Sequence, residues 1–169
     1  MEEKFDLLAS LFLWVHVTSV IAFIIGVVGS YVAFYQAARE TDIKAAQSLV
    51  KLSGWFGKYL GSPGITILFF AGILTAWREN VPMLGFLQGG DVNWLLASIV
   101  LLFSTYPLMF LVYNPRGKVL DKELENGVAK GEVTQGLKNA FADKTVRNWH
   151  IIELATYAVI IFLMVVKPF

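Results

Sequence analysis

Apolar positions gather into four long runs, 7–35, 59–77, 92–113 and 149–166, separated by more polar stretches. A run of about 18 to 20 apolar residues is long enough to cross the hydrocarbon of a bilayer as a helix. Lipid offers a backbone no hydrogen-bond partners, so each run is predicted to be a transmembrane α-helix. The chain therefore reads as a single membrane domain over residues 1–169, an all-α integral membrane four-helix bundle.

A weaker helical pattern continues through the two longer connections. Over 41–53 it puts Ile43, Ala46, Leu49 and Val50 on one face, and over 118–129 it does the same with Val119, Leu120, Leu124 and Val128. These segments are expected to be amphipathic connecting helices lying on the membrane surface or on each other, or offering a docking surface to a soluble partner.

Small residues recur within the first two runs. Ser19, Ala22, Gly26, Gly29 and Ala33 form one stripe, and Gly54, Gly57, Gly61 and Gly64 form another that continues through Ala71 and Thr75. Such stripes let helix backbones approach closely in lipid, so the first two helices are expected to pack along them. The cluster Gly61, Ser62, Pro63 and Gly64 should start or bend the second helix, and Pro107 should kink the third. Gly85, Gly89 and Gly90 mark a turn, after which Asp91 or Asn93 can cap the third helix.

Charge orients the bundle. Only 16% of residues are charged and net charge is +1, so no global field argues for nucleic acid. Of the 14 basic residues, all but Lys4, Arg78 and Lys167 fall in the connections 36–58 and 114–148. By the positive-inside rule those connections are cytoplasmic and both termini lie outside, as expected for a multi-pass protein of a bacterial or archaeal inner membrane. Trp14, Trp77 and Trp94 then fall near the outer interface and Trp55 and Trp149 near the inner one. The acidic start, Met1 to Asp6, has no small-residue cleavage site after it and reads as a retained N-terminus. The absence of cysteine excludes disulfides and thiolate metal sites.

Candidate chemistry is sparse. His16 sits inside the first run, where an imidazole must face protein, water or a ligand rather than acyl chains. It could bond a hydroxyl or carbonyl of a neighbouring helix, with Ser98 or Thr75 in reach, or ligate haem iron, and it could point toward the third or fourth helix. Copper is the alternative metal. Met164 is the nearest soft ligand at the outer level, either for copper or as a sixth haem ligand. His150 starts the fourth run at the inner side, too far in depth from His16 for both to bind one haem.

His150, Glu153 and Tyr157 share a face of the fourth helix. Glu153 is the one carboxylate well inside a predicted span, and is expected to pair with Lys58, Arg147 or His150 as a buried anchor, or to form a proton or cation site. Tyr35, Gln36, Tyr59, Tyr113 and Asn114 reach the same inner depth. Lys58, His150, Glu153 and Tyr157 are thus the expected inner polar cluster. No nucleotide-binding glycine loop, nucleophile elbow or catalytic carboxylate pair is present.

Trp14, His16, Gly26 and Gly29 in the first run, the segment Gly131-Glu132-Val133-Thr134, and the tail Leu163-Met164-Val165-Val166-Lys167-Pro168 together resemble bacterial four-span predicted integral membrane proteins of uncharacterised function. More distantly, the first run is similar to the copper-resistance D membrane domain and to the membrane protoporphyrinogen oxidase, where a first-helix histidine is tied to haem. His16 is the residue that maps onto that feature. The oxidase's arginine and proline after the first helix are replaced here by Tyr35-Gln36-Ala37.

The resemblance implies a b-type haem held through His16, and with it electron transfer or redox sensing. The rival expectations are a cofactor-free membrane scaffold or accessory subunit, and copper or proton transport. Beyond the lipid bilayer, a redox partner, a membrane complex or a homo-oligomer would be its partners.

Overall fold

The computed structural model describes residues 6–88 and 93–168. Asp91, Gly89 and Gly90 lie outside those residues, and Asn93 caps the third span by accepting from the Leu96 N–H at 2.8 Å. Helix α1 runs over Leu7–Ala37. The second span is α2 (Ile43–Phe56), a π-helical turn (Gly57–Gly61) and α3 (Ser62–Arg78). The third is α4 (Trp94–Leu108), a second π-helical turn (Met109–Tyr113) and α5 (Asn114–Lys130), followed by the short α6 (Gln135–Phe141) and by α7 (Lys144–Val166). Among the described residues four helices are long and apolar enough to cross a membrane, and large apolar side chains such as Trp14, Phe70 and Phe110 face outward from them.

The spans are longer than the apolar runs that announced them. The second and third continue without a break across the expected boundaries at Tyr59 and Tyr113, giving helices Ile43–Arg78 and Trp94–Lys130. The second and third spans each carry a π turn, in which the Ser62 N–H bonds the Gly57 carbonyl and the Asn114 N–H bonds the Met109 carbonyl; the first falls at the expected breaker cluster, and Pro107 lies inside α4, two residues before the second. Each turn is followed by an X-Pro step, Ser62-Pro63 and Asn114-Pro115. A proline ring clashes with the carbonyl four residues back, and a widened turn there absorbs the clash without ending the helix.

The spans associate as two hairpins, α1 with α3 and α4 with α7. In the first, the small-residue stripes meet as expected. A Cβ added at Gly26 would overlap the backbone of Gly61, and one at Gly64 would lie 2.8 Å from the Phe23 nitrogen. The stripe stops short at one end, because a Cβ at Gly54 or Gly57 would meet nothing within 4 Å.

Asp6 caps α1 by accepting from the Leu8 and Ala9 N–H groups and pairs with Arg78 at the end of α3. The Ala9 N–H and the Arg78 guanidinium hold its carboxyl below the usual value. At the same end the Lys167 ammonium lies over the Trp94 ring, 5.1 Å from its centroid, which joins the end of α7 to the start of α4.

At the opposite, lysine-rich end the hairpins share a small core. Ile43 of α2, Ala37 of α1, Leu124 of α5, and Leu137 and Phe141 of α6 are buried together, with Leu49, Val50, Leu120 and Val133 against them. The two amphipathic connections therefore lie on each other, while Val119 and Val128 stay exposed. Gly131 ends α5 at φ +73, with its own N–H on the Val128 carbonyl and the Glu132 N–H on the Gly127 carbonyl. That is a Schellman cap, which needs a residue tolerant of the left-handed region. Thr134 then caps α6 through the Leu137 N–H. The segment Gly131-Glu132-Val133-Thr134 is thus a stop, a core contact and a start in four residues.

Candidate functional site

Between the hairpins, in the half of the molecule nearer the lysine-rich end, lies a cavity of about 640 Å3. Small-molecule and cofactor sites span about 300–1,000 Å3, so the space is of that size. Phe23, Val27, Ser30, Tyr31 and Phe34 wall it on α1, Ile65 and Thr66 on α3, Thr105 and Tyr106 on α4, and His150, Glu153 and Tyr157 on α7. Both π turns line it, through Gly57 and Gly61 on one side and Met109 and Tyr113 on the other. The ion pair between Arg116 Nε and Asp143 Oδ2, 3.0 Å apart, also lines it, beside the N-terminus of α7.

Glu153 is the polar centre of this cavity. Its carboxyl oxygens accept three phenol hydrogens, from Tyr31 and Tyr113 on Oε2 and from Tyr157 on Oε1. Three donors arriving on one carboxyl group, from α1, α7 and the second π turn, suit an ionised acceptor, because each bond to the anion is charge-assisted. Glu153 is only 9% exposed, yet among the described residues it has no ion pair.

His150 stacks on the Tyr31 ring at 3.8 Å and bonds the Tyr35 hydroxyl through Nδ1 at 3.0 Å. Tyr31 therefore serves both groups, its hydroxyl holding Glu153 and its ring covering His150.

Three of the four residues of the expected inner cluster are brought together and one is not. His150, Glu153 and Tyr157 are buried on one face of α7. Lys58 is exposed, with its ammonium over the Tyr59 ring, and Tyr59 itself points outward. Arg147 is exposed as well. The anchor of Glu153 is thus phenolic, where a basic partner was expected. Tyr31 is the residue the sequence reading missed. Its signal was position, since at about 100° per residue it lies on the side of α1 away from the Gly26 and Gly29 stripe.

His16 bonds neither Ser98 nor Thr75, whose hydroxyls turn back to the Trp94 and Ala71 carbonyls of their own helices. Its Nδ1 lies 2.9 Å from the Leu68 carbonyl oxygen on α3. A carbonyl only accepts, so Nδ1 carries the hydrogen, and in the neutral ring the lone pair is then on Nε2. Gly72 makes the contact possible, because a Cβ there would fall 2.9 Å from the imidazole Cε1. The glycine thus uncovers a carbonyl one turn back on its own helix, and the imidazole reaches toward the second span where the third or fourth was expected.

The depth of His16 follows from the register of the spans. Phe23 of α1 and Tyr157 of α7 meet edge to face, with centroids 4.9 Å apart. His16 lies seven residues from Phe23, and Met164 seven from Tyr157, both toward the ends that carry the termini. Seven residues are about two turns and return to nearly the same face, so His16 and Met164 lie at one level, each above a residue that lines the cavity. The same step relates Gly72 to Ile65 and Ser98 to Thr105. His150, by contrast, is held beside Tyr31 and Tyr35, and the 15 to 19 residues of α1 between those positions and His16 correspond to about 22–28 Å of rise. The two histidines cannot share a ligand.

Among the described residues no three His, Asp or Glu side chains converge as a metal cluster.

Residues 10–168 match the model of a family described as predicted integral membrane protein (DUF2269). No curated protein and no solved structure matches the chain.

Proposed function

Since the chain belongs to the DUF2269 family of predicted integral membrane proteins, we propose that it is a membrane b-type haem protein, in which His16 would hold the haem iron. The observation that carries this reading is the bond from His16 Nδ1–H to the Leu68 carbonyl. A histidine that ligates iron through Nε2 commonly donates its other ring hydrogen to a carbonyl or carboxylate, which fixes the tautomer and raises the basicity of the ligating nitrogen. Met164, at the same level on α7, would be the second residue to hold the iron, and a thioether there would raise the reduction potential relative to a second histidine.

When bound, the haem supplies one-electron chemistry. The protein residues fix its depth, keep water from it with the aromatic layer of Phe23 and Tyr157 below, and set its ligand field. Electron transfer or redox sensing in the plane of the membrane is the resulting function.

An absorption spectrum of the purified protein, before and after titration with haemin, tests the reading. The expected result is a Soret band of one haem per chain, lost in His16→Ala and retained but converted toward the high-spin form in Met164→Leu. A folded preparation that is colourless and binds no haemin overturns it and leaves the cofactor-free scaffold. Metal analysis of that preparation tests copper.

A further inference from the structure

The cavity around Glu153 has no part in holding a haem at the level of His16, and its chemistry points elsewhere. We infer that it is a binding site for an amphipathic organic ammonium cation, with Glu153 as the counter-charge and the surrounding rings as the cage.

The argument begins with the charge. Glu153 accepts three phenol hydrogens, donates none, and among the described residues has no ion pair. Phenols stabilise a carboxylate without neutralising it, and an uncompensated charge in a membrane interior is expensive. A carboxylate has about four lone-pair sites, and three are filled, so Oε1 can accept one more partner.

The titratable and charged groups facing it from each packed element do not supply that partner. Tyr31 and Tyr35 of α1, Tyr113 of the second π turn, and Tyr157 of α7 are phenols. Thr105 of α4 is a hydroxyl. His150 is turned to Tyr35, Arg116 of α5 is committed to Asp143, and Lys58 of the first π turn points away to Tyr59. The missing positive charge is therefore expected from a ligand.

The walls indicate what kind of cation. Phe23, Tyr31, Phe34, Tyr113 and Tyr157 are among the residues that line the space. Such a lining favours alkylated ammonium groups through cation–π attraction and disfavours small, strongly hydrated ions, which would lose their water to apolar surface. At about 640 Å3 the cavity accepts a cation bearing an aromatic or short alkyl body.

The way in is lateral. Ser62 and Thr66 on α3, and Tyr106, Met109 and Phe110 on α4 and the second π turn, line the cavity and are also exposed outward. The opening thus lies between the second and third spans, facing the bilayer, where an amphipathic cation accumulates. Phe69 against Phe103 closes the gap between those spans on the side of the termini.

The test is calorimetric titration of the purified protein in lipid nanodiscs with benzyltrimethylammonium and with its uncharged isostere, neopentylbenzene. The cation is expected to bind at least about ten-fold tighter than the isostere, and Glu153→Gln is expected to abolish that preference. Should Glu153→Gln fail to fold, Thr66→Trp at the exposed rim decides, and is expected to block the cation while leaving Glu153 intact. Equal affinity for the two probes, no binding of the cation to the folded protein, or unchanged binding in Glu153→Gln or Thr66→Trp overturns the assignment. Loss of haemin binding in His16→Ala bears on the other site alone, so the two readings fail separately.

Discussion

The imidazole of His16 lies across Gly72, and its Nδ1–H reaches the Leu68 carbonyl 2.9 Å away because that glycine has no side chain in between. Replacing Gly72 by alanine puts a methyl group 2.9 Å from the imidazole Cε1 and forces the ring off the carbonyl. Overpacking of this kind costs about 1–3 kcal/mol. Gly72→Ala should lower thermal stability by that amount and weaken haemin binding, whereas Gly117→Ala, where a Cβ would meet nothing within 4 Å, should leave haemin binding unchanged.

The tyrosine cage predicts a graded series. Removing one phenol hydroxyl leaves the Glu153 carboxylate short of one charge-assisted bond, at about 1–3 kcal/mol. Tyr31→Phe, Tyr113→Phe and Tyr157→Phe should each destabilise the protein in detergent by that amount. Because the three act on one acceptor, a double variant should depart from the sum of its singles, which thermal or chemical melts of the set will read.

The two hairpin halves predict different sensitivity to small substitutions. Gly26 and Gly64 face backbone across the α1–α3 seam, so alanine at either must push the helices apart. Gly54→Ala and Gly57→Ala face open space and should raise stability slightly, by removing glycine from a helix interior at about 0.5–1 kcal/mol each. Melting temperatures of the four variants separate the two outcomes.

At the opposite end, Gly131 adopts φ +73, a conformation that costs an ordinary residue about 1–2 kcal/mol. Gly131→Ala should destabilise by about that much. Gly131→Asn should recover part of it, because asparagine tolerates the left-handed region better.

Acid should release the tie between α1 and α3. The Asp6 carboxyl is held below its usual value of 3.8 by the Ala9 N–H and the Arg78 guanidinium. A depressed folded-state value means that the stabilisation is present above the unfolded value and is lost as pH falls through the folded one. Melts from pH 7 downward should therefore be flat to about pH 4 and decline below it. The part of that decline owed to this pair should be missing in Asp6→Asn, which starts lower at neutral pH.

How far the site could be read in advance depended on the kind of signal each residue gave. His16 and Glu153 were conspicuous because polar groups in apolar runs have few permitted environments. His150 and Tyr157 followed from their spacing around Glu153. Tyr31 gave no such signal, since a tyrosine in a span is ordinary until its hydroxyl has an acceptor on another helix. Lys58 was misassigned for a related reason. Its depth along the chain was right, but the direction in which it leaves the helix is set by the π turn it occupies, and the apolar pattern carries no trace of an added residue in the turn.

The sequence by itself determined the four spans, the amphipathic character of the two connecting helices and the meeting of the small-residue stripes, because these follow from transfer between water and lipid and from side-chain volume, quantities that sum along a chain. The tertiary structure alone decided that three phenols rather than a cation hold Glu153, that His16 bonds a backbone carbonyl, and that a cavity separates the hairpins. Those outcomes depend on the rotation of one helix against another, which is fixed by a handful of contacts such as Phe23 with Tyr157. Hydrogen bonds are lost over a fraction of an ångström and a few tens of degrees, and no one-dimensional pattern constrains a rotation that finely.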